Sequence, residues 1–216
     1  GRELFPLGNL LDSREAANHV GGLITSNQQS LRQARQHGIP AVKIGPELPW
    51  LGCHSVSSDH HAMGKLAFHE LANRGYRLVT FAGADCTDLR ALKLKQKGFL
   101  EAFQEDTTDR IQLYPLPELR LINGWLTAPS QETLTAVFHE APRGLGIVCG
   151  NVEIGWGVWQ ALVKAGRAVP EEIGLLVAGD DPILLEQVNP SLSGILENRA
   201  EVGRICAQCL HEQMRG

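Results

Sequence analysis

Short, unbroken apolar runs alternate along this chain with longer stretches in which apolar positions return every three or four residues. The runs predict strands at Glu3–Leu7, Gly21–Thr25, Ala41–Ile44, Leu78–Ala82, Ile111–Tyr114, Gly146–Cys149 and Gly174–Ala178. The periodic stretches predict helices at Ser30–His37, His60–Arg74, Leu89–Phe103, Gln131–His139, Val152–Lys164 and Arg199–Met214. Strands that read as continuous apolar runs, without polar alternation, belong to sheets covered on both faces. The β-α-β order then gives parallel sheets with right-handed crossovers, hence an α/β protein. Helix ends carry matching signals. Ser30, Ser130 with Thr133, and Asn151 stand where N-caps belong, and Gly38 and Gly75 where a left-handed residue ends a helix.

Two turn-rich stretches interrupt the alternation. Pro46 to Ser58 holds Pro46, Pro49, Gly52 and three serines with no helix signal, and Asn189 to Gly194 precedes the last helix. Read as crossings, they divide the chain into one lobe of residues 1–57 and 193–216 and another of residues 58–192, with a hinged cleft between them.

Composition narrows the function classes. The net charge of −4 comes with scattered Lys and Arg, so no basic stripe supplies the field that phosphate contacts need, and the chain by itself is a poor DNA binder. No apolar run approaches the ~20 residues of a membrane span, and the start of the chain lacks the regions of a signal peptide, which together predict a cytoplasmic protein, or a fragment whose leader has been cut away, and no membrane partner. Five cysteines, odd in number and without scaffold spacing, read as free thiols of a reducing compartment.

In open α/β sheets ligands bind just beyond the carboxyl ends of the strands. Asn151 and Asp180 stand there, after the runs ending at Cys149 and Ala178, and both types hydrogen-bond hydroxyl groups. Asp180 reads equally as a cap of the turn that follows, although Asp181, directly before Pro182, suits that role better. Trp125 lies in a loop outside any periodic apolar face, where its indole serves either as a platform for a sugar ring or as packing. Trp156 and Trp159, three apart on a helix, read as core.

Cys206 and Cys209 share a helix face with Val202 and Ile205 and have no second cysteine pair, which makes them packing residues and not zinc or redox ligands. Asp59, His60, His61 and His69 lack the spacing that joins two ligands on one helix, so a helix start and an exposed face account for the histidines. There is no Gly-x-Ser-x-Gly elbow, no Walker loop and no catalytic constellation. The chain reads as non-enzymatic, with no cofactor and no metal.

Several segments in register carry a family resemblance. Gly21-Gly22-Leu23-Ile24 resembles a "DGII" strand, and Gly38-Ile39-Pro40-Ala41-Val42 a "GIPVV". Val56 and Asp59, then Gly64, Ala67, Leu71, Arg74-Gly75-Tyr76-Arg77 and Phe81-Ala82-Gly83 follow "V..D...G..A..HL...GHR.IAF..G". Lys97-Gly98-Phe99 through Phe103 follows a "GF..AL" helix, and Pro190-Ser191-Leu192-Ser193 with Gly203 and Leu210 follows "PPLTT......G..A...L". In this order and spacing the chain resembles the effector-binding domain of LacI/GalR-type transcriptional regulators, and its linkers are similar to the xylose-regulator subgroup.

The resemblance implies the type I periplasmic-binding-protein fold, two Rossmann-like lobes with parallel sheets flanked by helices, cut short at both ends here. It implies a sugar effector held by Lys95, Trp125, Asn151 and Asp180, and Asp59 of the matched motif is a further candidate ligand-binding residue. Lys95 stands where the family has an arginine, Val152 where it has an aspartate and Gly179 where an aromatic is common. The implied partners are the sugar, a second copy of the chain in a homodimer, and operator DNA reached only through a DNA-binding domain absent from this chain. The alternative on the same fold is the sugar-binding protein of a transport system, monomeric and preceded by a signal peptide. An enzyme on a flavodoxin-like sheet is a third reading, for which turnover of a sugar phosphate or ester would be the sign.

Overall fold

The structure is a computed structural model and describes residues 20–83, 90–108, 110–122, 125–179 and 181–215. The expected strand Glu3–Leu7, Leu89, Cys86 and the candidate site residue Asp180 lie outside the described residues. The chain forms two compact units, one from residues 1–58 with 198–216 and the other from 59–197.

The first unit is built on a three-stranded parallel sheet of β1 (Leu23–Thr25), β2 (Ala41–Ile44) and β3 (His54–Val56) in that order. Helix α1 (Gln28–Gln36) connects β1 to β2, and a 3-10 turn at Pro49–Leu51 precedes β3. Leu31 and Ala34 of α1 close the core with Leu23, Ala41, Leu48 and Leu51. The stretch from Pro46 to Ser58, read as turn-rich with no helix signal, contains that 3-10 turn and a strand. His54-Ser55-Val56 is short and mostly polar because it is an edge strand, so no apolar run announces it. Asn27, and not Ser30, caps α1: its Oδ1 accepts from Ser30 N at 3.0 Å, while Ser30 itself is buried in the first turn.

The second unit carries α2 (His60–Asn73), β4 (Leu78–Ala82), α3 (Arg90–Glu105), β5 (Gln112–Leu113), β6 (Leu121–Ile122), β7 (Trp125–Leu126), α4 (Ala128–Glu140), β8 (Leu145–Cys149), α5 (Val152–Lys164), β9 (Ile173–Val177), α6 (Pro182–Glu186) and β10 (Ser193–Gly194). Its parallel sheet has the order β10-β9-β8-β4-β5, and β6 pairs with β7 as a separate antiparallel hairpin. Strands β8 and β9 are buried at every position, as their unbroken apolar runs require. Alternate residues feed two cores. Leu145, Ile147, Cys149, Ile173, Leu175 and Val177 pack with Leu134, Phe138, Val158 and Leu162 of α4 and α5. On the other face Val79, Val148, Leu176 and Ala178 pack with Phe68 and Leu71 of α2 and Phe99 and Ala102 of α3.

Helix α7 (Arg199–Arg215) returns to the first unit and packs on β1, β2 and β3. Cys206 is buried there and Cys209 half-buried, both free thiols, and no group of metal-ligating side chains occurs among the described residues. Three further details differ from the expectations. Thr127 caps α4, its Oγ1 accepting from Ser130 N, because Pro129 starts that helix earlier than Gln131. Trp125 belongs to β7 and not to a loop. Ser193–Gly194, taken as turn, adds an edge strand to β9.

Candidate functional site

From β4 the chain steps outward to β5, then returns to place β8 on the other side of β4, so the strand order reverses between β4 and β8. At such a switch point the connections leave in opposite directions and open a crevice beyond the strand ends. The backbone there is tightly laced. Gly150 N donates to Ala82 O at 3.0 Å, and Ala178 N to Cys149 O at 2.7 Å, which aligns the carboxyl ends of β4, β8 and β9.

Lys95 reaches these ends from α3. It is 4% exposed, and its Nζ donates to Ala178 O at 2.6 Å, Gly150 O at 3.3 Å and Glu197 Oε1 at 3.0 Å. An ammonium group has three donors, so this set occupies all of them. Desolvating the charge is costly unless it is paired and hydrogen-bonded, and the carboxylate with two carbonyls meets that need.

His60, expected to be an exposed helix start, is instead 7% exposed with Nδ1 3.8 Å from the same Glu197 Oε1. The apolar period of α2 places it on the inner face with Met63, Gly64 and Ala67. His69 does lie on the exposed face, and His61 is half-buried with Nε2 2.7 Å from Glu101 Oε2.

Asn151 follows Gly150 and is the N-cap of α5, as expected: its Oδ1 accepts from Ile154 N at 2.8 Å. Its amide nitrogen carries two further donors. Asp59 is exposed and caps α2 in the same way, with Oδ1 accepting from Ala62 N at 2.9 Å. Trp125 stands opposite Ile122 in the hairpin, the two being 44% and 67% exposed. The hairpin is seated by the neighbouring Leu126, which is buried where Gly157 of α5 leaves room for it.

Lys95 and Asn151 are thus brought to adjoining backbone, Asp59 shares a helix with His60 beside Glu197, and Trp125 forms no ring contact or hydrogen bond with them among the described residues. A separate concavity of about 400 Å³ lies beside β4, between Thr80, Phe81 and Gly83, Gln96 of α3, and Glu118 and Leu119. None of Asn151, Lys95, Trp125 and Asp59 lines it. Glu197 and His60 were not legible as site residues. Glu197 obeys the same rule as Asp180, an acidic residue just past a strand, but its strand β10 has two residues and no apolar pattern.

A parallel sheet with a switch point between β4 and β8 is the architecture of open α/β proteins, in which ligands bind beyond the carboxyl ends of the strands. Residues 68–216 match the family of periplasmic binding protein-like domains, and the chain belongs to that family. Among curated proteins it is 24% identical over 160 residues to the HTH-type transcriptional regulator AscG of Escherichia coli, covering 74% of this chain and 45% of that protein. It is 21% identical over 187 residues to the xylose operon regulatory protein of Haemophilus influenzae, covering 82% of this chain and 46% of that one. The chain therefore spans less than half the length of these relatives.

Among solved structures, a LacI family transcriptional regulator from Enterococcus faecalis with bound ribose aligns with TM-score 0.67 and 21% identity, covering 94% of this chain and 72% of the other. A periplasmic binding protein/LacI transcriptional regulator from Alkaliphilus metalliredigens complexed with D-xylulofuranose aligns with TM-score 0.68 and 20% identity, covering 93% and 71%. These likenesses agree with the type I periplasmic-binding-protein fold expected from the sequence. No helix among the described residues is long and apolar enough to cross a membrane.

Proposed function

We propose that this chain is the ligand-sensing and dimerising domain of a bacterial, sugar-responsive transcription regulator, non-catalytic and working in the cytoplasm. The observation that carries the reading is the lacing of the strand ends by Lys95, which holds the Gly150 and Ala178 carbonyls beside Asn151 at the carboxyl ends of β8 and β9. Asn151 offers amide donors, Asp180 and Asp59 offer carboxylate acceptors, and Trp125 an exposed indole for the C–H face of a pyranose or furanose ring. The sugar-bound relatives of the same fold support this over a transport role. The sugar would act by favouring one of two dimer states, for which a coupling of ~1–3 kcal/mol suffices. Operator DNA is the partner of a DNA-binding domain outside this chain.

Thermal denaturation with D-ribose, D-xylulose and other pentoses and hexoses tests it. A ligand at about 100 times its Kd adds about 2.7 kcal/mol of stability, a rise of roughly 5–10 °C for a chain of this size. Asp180→Ala is expected to keep the unliganded midpoint and abolish the rise. No rise with any sugar in the unaltered chain overturns the proposal, and an undiminished rise in Asp180→Ala removes that residue from the site. Sedimentation of the unaltered chain as a monomer at micromolar concentration would count against the dimerising role.

A further inference from the structure

The buried ion pair beside the proposed site bears on which ligands that site accepts. Lys95 is almost wholly enclosed, and its three donors end on Ala178 O, Gly150 O and Glu197 Oε1. Glu197 is less enclosed, its side chain being 21% exposed against 5% for Lys95, so the carboxylate is the more solvent-facing partner of the pair. His60 Nδ1 approaches the same carboxylate oxygen at 3.8 Å. A phosphate brought to these strand ends would meet the carboxylate and find the ammonium protons already directed at protein oxygens. An uncharged polyol meets no such repulsion and can donate a hydroxyl to a carboxylate.

We propose that Glu197 is a specificity residue: by neutralising Lys95 it makes the site at the ends of β8 and β9 select uncharged hydroxylated ligands over phosphorylated ones. This rests on the sugar-site reading above. The ammonium that Glu197 neutralises also joins Gly150 O to Ala178 O. Glu197→Gln keeps the shape and an acceptor for Lys95 but leaves one positive charge without its counter-charge, and like-sign and opposite-sign placements of this kind set specificity more than they set affinity.

Calorimetry with D-ribose and D-ribose 5-phosphate on the unaltered chain and on Glu197→Gln is the test. The unaltered chain is expected to prefer ribose, and Glu197→Gln to move the ribose to ribose 5-phosphate affinity ratio toward the phosphate by about tenfold or more. The double variant Lys95→Gln with Glu197→Gln, from which both charges are gone, should return the ratio toward that of the unaltered chain. A purely structural role for Glu197 would weaken both probes alike, and an unchanged ratio, or a preference of the unaltered chain for the phosphate, overturns the proposal.

Failure of the sugar reading looks different: neither probe binds any of the chains. The pairing is then decided without ligand by a urea-unfolding cycle of Lys95→Met, Glu197→Gln and both together. Coupling of tenfold or more in the unfolding constant supports neutralisation of Lys95 by Glu197, and additivity overturns it.

Discussion

Gly98→Ala is expected to destabilise the second unit even though alanine is the better helix former. Helices α2 and α3 approach closely through Gly64 and Gly98, which face one another's backbone. A Cβ on Gly98 would run into the His61 carbonyl, with its carbon at 2.9 Å and Lys65 N at 3.2 Å, and a Cβ on Gly64 would meet Lys95 O and Phe99 N. These are main-chain atoms, so no rotamer change relieves them and one helix must shift. Overpacking of this kind costs roughly 1–3 kcal/mol, and contact with backbone places Gly98 near the upper end.

Alanine returns about 1 kcal/mol of helix propensity, so the net loss is about 2 kcal/mol, or a fall in midpoint of roughly 4–8 °C. Gly203 in α7 is the control, since a Cβ there meets nothing within 4 Å among the described residues. Gly203→Ala should raise stability by up to about 1 kcal/mol. Thermal and urea unfolding of the two variants give the answer. A Gly98→Ala chain as stable as Gly203→Ala would refute the close-packing argument. The shift also displaces the turn of α3 that carries Lys95, so the sugar-induced rise in midpoint is expected to shrink in Gly98→Ala.

Three further outcomes follow from the geometry. Asn151→Ala removes the acceptor for Ile154 N and should cost about 1 kcal/mol, whereas Asn151→Asp keeps the cap but loses the amide donors; near-normal stability with lost ribose binding in Asn151→Asp is expected, and intact binding there argues against a donor role. The Glu101 carboxyl is held below its ordinary value of 4.5, first by the hydrogen bond from His61. A depressed carboxylate contributes stability that is present above its ordinary pKa and is lost as pH falls through the folded value. NMR titration of Glu101 should show its pKa rising in His61→Ala, and an unchanged value would deny the bond its effect. The Cys149 thiol is fully buried and burial raises its pKa well above the ordinary range, so native chain should leave it unalkylated by iodoacetamide at pH 8, and rapid modification would contradict its enclosure.

The long elements were readable because their burial follows a regular local period. β8 and β9 have no exposed position, and the amphipathic helices that cover them repeat their apolar faces, so local pattern and global environment agree. Among the short edge elements, β1 and β5 were announced by apolar runs, whereas β3, β10 and the β6–β7 hairpin were not, since they owe their form to a neighbouring strand and not to a pattern of their own. Capping was legible at Asn151 but misplaced at Ser30 and Ser130, where an acceptor three residues earlier competes successfully for the same helix start.

What the sequence by itself determined is the alternation of strand and helix, the parallel sheets and the family, all of which follow from burial repeating at fixed local periods. The tertiary structure alone decided the surroundings of Lys95. Its partners lie 55, 83 and 102 residues away, and such a meeting is set by strand order and helix seating, which no local period encodes. For the same reason His60 became a buried neighbour of Glu197 and not a surface histidine.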